Sequence, residues 1–203
     1  LVAWGDNSDG QRNVPAGLSN VVAVAAGGFH SLALTAEGTV VAWGRDATGE
    51  STVLAGLTNM MAIAAGGEHS LALKSDGTVI AWGYGGSGQT AVPQALSNVT
   101  AISAGWGHSL ALRTDGNVVA WGANWFNQTK VPPGLSNVVA VAGGTYHSLA
   151  IFGASLAEPP LIVVHPQNQV VSQGATVELS ILTTGTPPLF YQWRFNGTNI
   201  ATA

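Results

Sequence analysis

A tryptophan-glycine pair returns every 39 residues, at Trp4, Trp43, Trp82 and Trp121, and no other feature so narrows what this chain folds into. A histidine-serine pair keeps the same step, since His30, His69, His108 and His147 are each followed by serine. The tetrad GLSN at Gly17 recurs as GLTN at Gly56, ALSN at Ala95 and GLSN at Gly134. A period of this length means stacked copies of one supersecondary unit, each burying its apolar face against the next.

Within a unit the apolar runs are short and bounded by turn residues, which predicts strands rather than helices. VVAVAAG from Val21 is the first. HSLALT follows, with Leu32 and Leu34 on one face and Ser31 and Ala33 on the other, as a two-residue pleat requires. TVVAWG is the third, reached through TAEG, KSDG or RTDG, whose glycine supplies the positive φ of a tight hairpin. A fourth strand is expected around RNVPAG, where Val14-Pro15 recurs as Val92-Pro93 and Val131-Pro132. Proline donates no ladder hydrogen bond, so this strand belongs at a sheet edge.

Four antiparallel strands in a 39-residue unit, repeated, describe the blade of a β-propeller and place the chain in the all-β class. Alanine and glycine crowd the first strand, which suits the innermost position where blades converge. The repeated tryptophan of the third strand suits the wide space between blade faces, where an aromatic ring buries the most area.

The stretch AWGDNSDGQRNVPAGLSNVVAVAAGGFHSLALTAEGTVVAWG resembles the regulator-of-chromosome-condensation repeat, with its W-G-x-N-x-x-G-Q, V-A-x-G-x-x-H-S-L-A-L and D-G-x-V-x-x-W-G segments. The resemblance covers residues 1–152. Members of that family fold as seven-bladed propellers, which implies that four repeats are a fragment of a larger ring: three complete blades, with half blades at both ends. Pairing of the two halves into a four-bladed ring is the alternative.

After Phe152 the repeat stops, and GASLAEPP, residues 153–160, reads as a linker. Residues 161–203 resemble the first half of an immunoglobulin-like β-sandwich: a strand, a turn at Gly174, the strand TVELSI, a Pro-Pro turn and the strand YQWRF carrying Trp193. The resemblance puts the usual core cysteine at Ile181, so aliphatic packing replaces a disulfide. A complete domain of this kind needs about 100 residues, so this stretch is a truncated one.

Only 8% of residues are charged and the formal net charge is −4, so there is no basic stripe for a phosphate backbone and nucleic acid is not an expected partner. Cysteine is absent, which removes disulfides, thiolate metal sites and cysteine nucleophiles. Apolar runs such as VVAVAA from Val21 fall far short of the roughly 20 residues that span a bilayer, so membrane insertion is not expected. The chain opens on Leu1 rather than Met and reads as part of something longer, with any export signal outside it. Nothing implies an obligate oligomer.

Adjacent residues on a strand point to opposite faces, so His30 and Ser31 are not expected to act as base and nucleophile. Nor are the four histidines expected to share a metal, because equivalent points on neighbouring blades lie about 10 Å apart whereas ligands of one zinc lie within about 4 Å of each other. The reading of His30, His69, His108 and His147 is structural, each imidazole tying down backbone groups at the hairpin mouth. The loop DNSDGQ from Asp6 lacks the spacing of a calcium loop and is read as a solvated turn. No metal or cofactor is expected. Asn-x-Thr sequons at Asn98, Asn127 and Asn196 are read as chance in a Thr-rich chain.

Positions that vary between copies are where a repeat scaffold carries function without losing its fold. The loop before the histidine offers Phe29, Glu68, Trp106 and Tyr146, and the loop after Trp-Gly offers Asp6, Arg45 with Asp46, Tyr84, and Trp125 with Phe126. In an up-and-down blade both loops emerge on one side, opposite the uniform SDG and LSN turns. Large aromatic anchors among Gly, Ser and Asn have the composition of a binding surface. The expected function is therefore non-catalytic: a module of a secreted or surface bacterial protein that grips a protein or glycan through Phe29, Glu68, Tyr84, Trp106, Trp125, Phe126 and Tyr146. The family resemblance supports surface contact, since a propeller-type β-lactamase inhibitor is similar to this repeat. Two alternatives stand beside it: guanine-nucleotide exchange on a small GTPase, the activity of the family's eukaryotic namesake, and glycan chemistry by carboxylates such as Asp46, Glu50 and Glu68.

Overall fold

The computed structural model describes residues 1–153, 161–164, 172, 174–176, 180–184, 191–196 and 198–200. The chain divides into two units, Leu1–Gly153 and Ala154–Ala203.

In the first unit, β1 (Val21–Ala26), β2 (His30–Thr35) and β3 (Val40–Gly44) form one antiparallel sheet in that order. The pattern returns in β4 (Met60–Ala65), β5 (His69–Lys74) and β6 (Val79–Gly83), and in β7 (Val99–Ala104), β8 (His108–Arg113) and β9 (Val118–Gly122). A fourth sheet holds β10 (Val138–Gly143) and β11 (Ser148–Phe152) alone. These four sheets are the blades of a partial propeller.

The period carries the register with it. Ser31 opposes Trp43, Ser70 opposes Trp82 and Ser109 opposes Trp121, so each repeat serine faces the repeat tryptophan of its own blade. Each hairpin between second and third strands turns through a left-handed glycine, Gly38, Gly77 or Gly116, at φ +75°, +82° and +74°. The alanine-rich first strands neighbour one another in the order β1, β4, β7, β10, so they are the inner strands.

Between blades the core is aliphatic and capped by an indole. Trp82 of the second blade packs on Leu32, Leu34 and Val40 of the first, and Trp121 of the third on Leu71, Leu73 and Val79 of the second. Burying a large side chain of this kind contributes about 1.5–3 kcal/mol.

The fourth strand is a correction. Among the described residues no strand forms at RNVPAG or its counterparts; the first three blades have three strands each and the fourth has two, and the Val-Pro segment runs as successive turns. Its backbone donors are spent locally, as in Val14 N–H to Arg12 O at 2.9 Å and Leu18 N–H to Pro15 O at 3.3 Å. Proline offers no N–H to a ladder, and the aliphatic side chains of the segment, such as Val92 and Leu96, pack inward on the core instead.

The half blades at the two ends stay separate. Leu1–Gly5 forms no strand, and Trp4 is 84% exposed where Trp82 is 4% and Trp121 8%.

In the second unit β12 (Leu161–Val164) pairs antiparallel with β13 (Leu182–Thr184), and β14 (Arg194–Phe195) with β15 (Thr198–Asn199). Gly174 lies in a turn at φ +88°. Pairing begins at Leu182, after the TVELSI stretch, of which residues 177–179 lie outside the described residues, as do linker residues 154–160. Ile181 and Trp193 are half-buried, and Trp193 precedes its strand rather than lying in it.

Candidate binding face

The repeat histidines lock blade to blade. His30 Nε2 lies 2.9 Å from Ser70 Oγ, His69 Nε2 3.0 Å from Ser109 Oγ, and His108 Nε2 3.0 Å from Ser148 Oγ. Each serine hydroxyl in turn donates to one backbone carbonyl, Ser70 to Glu50 O and Ser109 to Gln89 O, both at 2.8 Å. The same carbonyls accept the indole N–H of Trp82 at 3.1 Å and of Trp121 at 2.9 Å. With the hydroxyl proton committed to a carbonyl, the imidazole is the donor, which assigns the Nε2–H tautomer.

This revises two expectations. The imidazole's partner is a serine hydroxyl of the next blade, not a backbone group at its own hairpin. A His–Ser contact does form, but between repeats, and it is structural: the serine is already a donor, and His69, Ser70, His108 and Ser109 are all fully buried. Burial lowers the pKa of His30, His69 and His108 by disfavouring the charged ring, taking His69 to about 4. His147 is exposed, with no serine one repeat ahead.

Glycine lines the inner rim because neighbouring backbones touch there. Gly28 N–H donates to Gly66 O at 2.9 Å and Gly67 N–H to Trp106 O at 3.0 Å, stitching successive blades. A Cβ on Gly67 would meet that same oxygen at 2.7 Å. Trp106 stands one position earlier in its loop than Phe29, Glu68 and Tyr146 do in theirs. Its indole consequently lies over the rim, such that a Cβ on Gly67 would be 2.8 Å from Trp106 Cδ2 and one on Gly28 3.0 Å from Cζ3.

Both variable loops lie at one end of the blades. The residue after each Trp-Gly donates to the loop before the histidine of its own blade: Arg45 N–H to Phe29 O at 3.0 Å, Tyr84 N–H to Glu68 O at 2.8 Å, Ala123 N–H to Gly107 O at 2.8 Å. The uniform turns meet at the other end, where Ser75 N–H reaches Asn59 O at 3.0 Å and Thr114 N–H reaches Asn98 O at 2.8 Å.

On the variable end the side chains gather in two groups. Trp106 meets Phe29 edge-on at 5.9 Å, the Arg45 guanidinium sits 5.0 Å from the Phe29 ring centre, and Arg45 Nη1 lies 2.9 Å from Glu68 Oε1. Phe126 and Tyr146 form the second pair at 5.2 Å. Trp125 and Phe126 are 65% and 66% exposed, and Tyr84, Trp106 and Tyr146 are also exposed, whereas Phe29 and Glu68 are half-buried beneath their neighbours.

Two carboxylates on this face, Asp46 and Glu50, are engaged by hydrogen bonds within their own loop. Asp46 accepts from Thr52 Oγ1 at 2.6 Å and Ser51 N–H at 2.9 Å, and these bonds hold its pKa down. Glu50 is fully buried; burial pushes its pKa up, but bonds from its own backbone and from Thr48 outweigh this and leave it below the usual range. Thr48 N–H and Oγ1 both donate to Glu50 Oε2 at 2.7 Å, and Arg45 Nε stands 3.7 Å from Oε1. A glycosidic acid needs a raised pKa, so neither Asp46 nor Glu50 is set up as one. In the Asp6 loop the carboxylate accepts from Ser8 Oγ at 2.8 Å and Gln11 Nε2 at 2.9 Å. Among the described residues no three His, Asp or Glu side chains gather where they would hold a metal ion.

One functional position was missed in the sequence. Gln11, Glu50, Gln89 and Gln128 keep the 39-residue step, and each turns its side-chain oxygen onto the N–H two residues back, at Asp9, Thr48, Ser87 and Phe126. That bond shapes the variable loop, and the carbonyls of Gln11, Glu50 and Gln89 each receive a serine and a tryptophan, while that of Gln128 receives Ser148.

The regulator of chromosome condensation (RCC1) repeat matches residues 21–50, 62–89 and 99–128. No curated protein matches the sequence. Among solved structures, Prp20p from Saccharomyces cerevisiae is similar at 19% identity and a TM-score of 0.63, over 72% of this chain and 50% of that one. Yeast RCC1 (Prp20) bound to Kap60 is similar at 25% identity and a TM-score of 0.57, over 68% of this chain and 43% of that one. The ectodomain of the receptor kinase CR4 from Physcomitrella patens is similar at 23% identity and a TM-score of 0.61, over 76% and 44%. The chain thus spans half the length of these structures or less, as a partial propeller does. On their repeating letters, their three-stranded sheets and these matches, the repeats within residues 21–128 belong to the regulator of chromosome condensation (RCC1) repeat family.

Proposed function

We propose that the chain is a non-catalytic binding module whose variable-loop face grips a protein. One observation carries this reading: seven varied positions from four repeats stand at one end of the blades, with Trp125 and Phe126 exposed on a frame of backbone hydrogen bonds. Rigid aromatic anchors lose little conformational entropy on binding, which is why they dominate interface energetics. Protein is favoured over glycan by the relatives: Prp20p was described with its binding properties to Gsp1p and histones, and in complex with Kap60. A secreted or cell-surface setting fits the low charge and the second unit beyond Gly153.

The test is a binding screen of the chain against arrayed glycans and exported proteins, repeated with Trp125→Ala/Phe126→Ala on the variable end and Asp76→Ala/Asp115→Ala on the other. The proposal expects a tenfold or greater loss of affinity for the first pair only. Equal affinity in all three proteins would refute it, and a ligand that is a glycan alone would overturn the choice of protein.

A further inference from the structure

Negative charge on the variable end gathers around Glu68. Three carboxylates, Asp46, Glu50 and Glu68, accompany one guanidinium, that of Arg45, so the cluster carries a formal charge of −2. Arg45 is already spent, with Nη1 2.9 Å from Glu68 Oε1, Nε 3.7 Å from Glu50 Oε1 and Cζ 5.0 Å from the Phe29 ring centre. Even so, the fully buried Glu50 Oε1 accepts no hydrogen bond among the described residues. The loop does not require that charge, because Gln11, Gln89 and Gln128 make the same bond to the N–H two residues back. Hydrogen bonds lower the pKa of Asp46 and Glu50, so both are ionised at neutral pH. Asp46 is exposed and Glu68 half-buried. One cation does not neutralise three anions, so this spot attracts a second cation and repels anions.

Main-chain bonds set two aromatic residues beside Glu68. Gly67 N–H donates to Trp106 O at 3.0 Å, and Tyr84 N–H donates to Glu68 O at 2.8 Å. The benzo ring of Trp106 is laid on glycine: a Cβ on Gly67 would be 2.8 Å from Cδ2 and 3.0 Å from Cε2, and one on Gly28 3.0 Å from Cζ3. Phe29 meets the same side chain edge-on at 5.9 Å. With its inner side and one edge so covered, Trp106 remains 41% exposed and turns its outward side to solvent. The face of an indole attracts cations through its quadrupole, and the Arg45 guanidinium against Phe29 is the same interaction made within the chain.

We propose that this corner of the variable face seats a basic side chain: a lysine or arginine of a partner protein stacks on the outward side of Trp106, with Glu68 and Asp46 as counter-charges and Tyr84 beside it. This rests on the reading of the chain as a protein-binding module and specifies what the partner must carry. Trp125, Phe126 and Tyr146 continue the face as exposed aromatic surface, and their loops hold no carboxylate, so the basic residue is flanked by apolar ones. An acidic or phosphorylated segment is disfavoured by the same field, since like charges oppose docking. A neutral ligand gains nothing from the net charge, so charge is what the test reads.

Short random peptides are selected on the parent chain, and the binders are read for charge. The proposal expects lysine or arginine enriched beside apolar residues, and affinity that falls as salt is raised. For the strongest binder, Glu68→Gln and Trp106→Leu are each expected to weaken affinity about fivefold or more. Trp106→Leu keeps the glycines covered but removes the ring, Trp106→Tyr keeps a π face and is expected to retain most of the affinity, and melting points of all three variants check the fold. Replacing the basic residue of the peptide with norleucine is expected to abolish the difference between the parent and the Glu68→Gln and Trp106→Leu variants. Binders that are lost in Trp125→Ala/Phe126→Ala but carry no excess of lysine or arginine would overturn this inference and leave the binding-module reading standing. Binders indifferent to every one of these substitutions, or no binder at all, would overturn both.

Discussion

His69 Nε2 lies 3.0 Å from Ser109 Oγ, and both residues are sealed from solvent, so one hydrogen bond joins the second blade to the third at the centre of the array. His69→Ala removes a packed ring and strands the hydroxyl. The expected loss is about 2–4 kcal/mol, read from the urea midpoint. Ser109→Ala leaves the imidazole N–H unpaired and costs about 1–3 kcal/mol. In the double variant the losses fall short of their sum by at least about 0.5 kcal/mol. Strict additivity would show that the two groups do not act as a pair.

Acid weakens the array in a defined window. The folded pKa of His69 is lowered to about 4 from 6.5, chiefly by burial and further by His30 and His108. A lowered folded value means that the unfolded chain binds the proton more tightly. The stabilisation from a neutral His69 is therefore complete above pH 6.5, declines as pH falls through that value, and is fully lost near pH 4. Unfolding midpoints recorded between pH 8 and pH 4 check this. The slope below pH 6.5 flattens in His69→Ala; an unchanged slope would exclude His69 as its source.

Arg45 is needed because Glu50 stands where three other repeats place glutamine. Arg45→Ala leaves a fully buried carboxylate without its cation and is expected to cost about 1–3 kcal/mol. Glu50→Gln keeps the oxygen that Thr48 bonds and is expected to lie within about 0.5 kcal/mol of the parent. Adding Glu50→Gln to Arg45→Ala then restores most of the loss in a thermal melt. Failure to restore would mean that Arg45 acts through Phe29 or Glu68 instead.

Gly66→Ala tests the inner rim. The new Cβ would fall 2.7 Å from Gly105 O and against the His69 ring, and both neighbours are fixed by their own hydrogen bonds. Overpacking of this kind costs about 1–3 kcal/mol. Gly49→Ala has open space at its Cβ but a φ of +84°, so any loss there is backbone strain alone. Comparing the two melting points separates crowding from strain.

The strands and their register were legible because the period repeats them: a two-residue pleat read once in HSLALT applies at His30, His69 and His108 alike. The hairpin glycines were legible for the same reason. The lock between His30 and Ser70 was not, although its trace was present, because two residues that share a period also meet one period and one residue apart. Local reasoning on a strand compares neighbours in sequence, and the 40-residue separation appears only once blades are stacked. The Val-Pro segment was misread since its alternating apolar residues serve an inward-packed coil as well as an edge strand. On the candidate face, the shared end of the two loops followed from strand alternation. The placement of Trp106 across Gly67 and Gly28 did not, because it depends on how closely two inner backbones approach.

The carbonyl that receives both a serine and a tryptophan belongs to the loop leading into their blade, while the histidine comes from the blade before. Every junction therefore uses the same grammar whichever two copies meet there. Genetic duplication or deletion of whole 39-residue cassettes leaves each seam intact, whereas an indel of any other length throws the downstream seams out of phase. Ring size in such a chain is free to drift in units, and it drifts without any seam having to be invented anew.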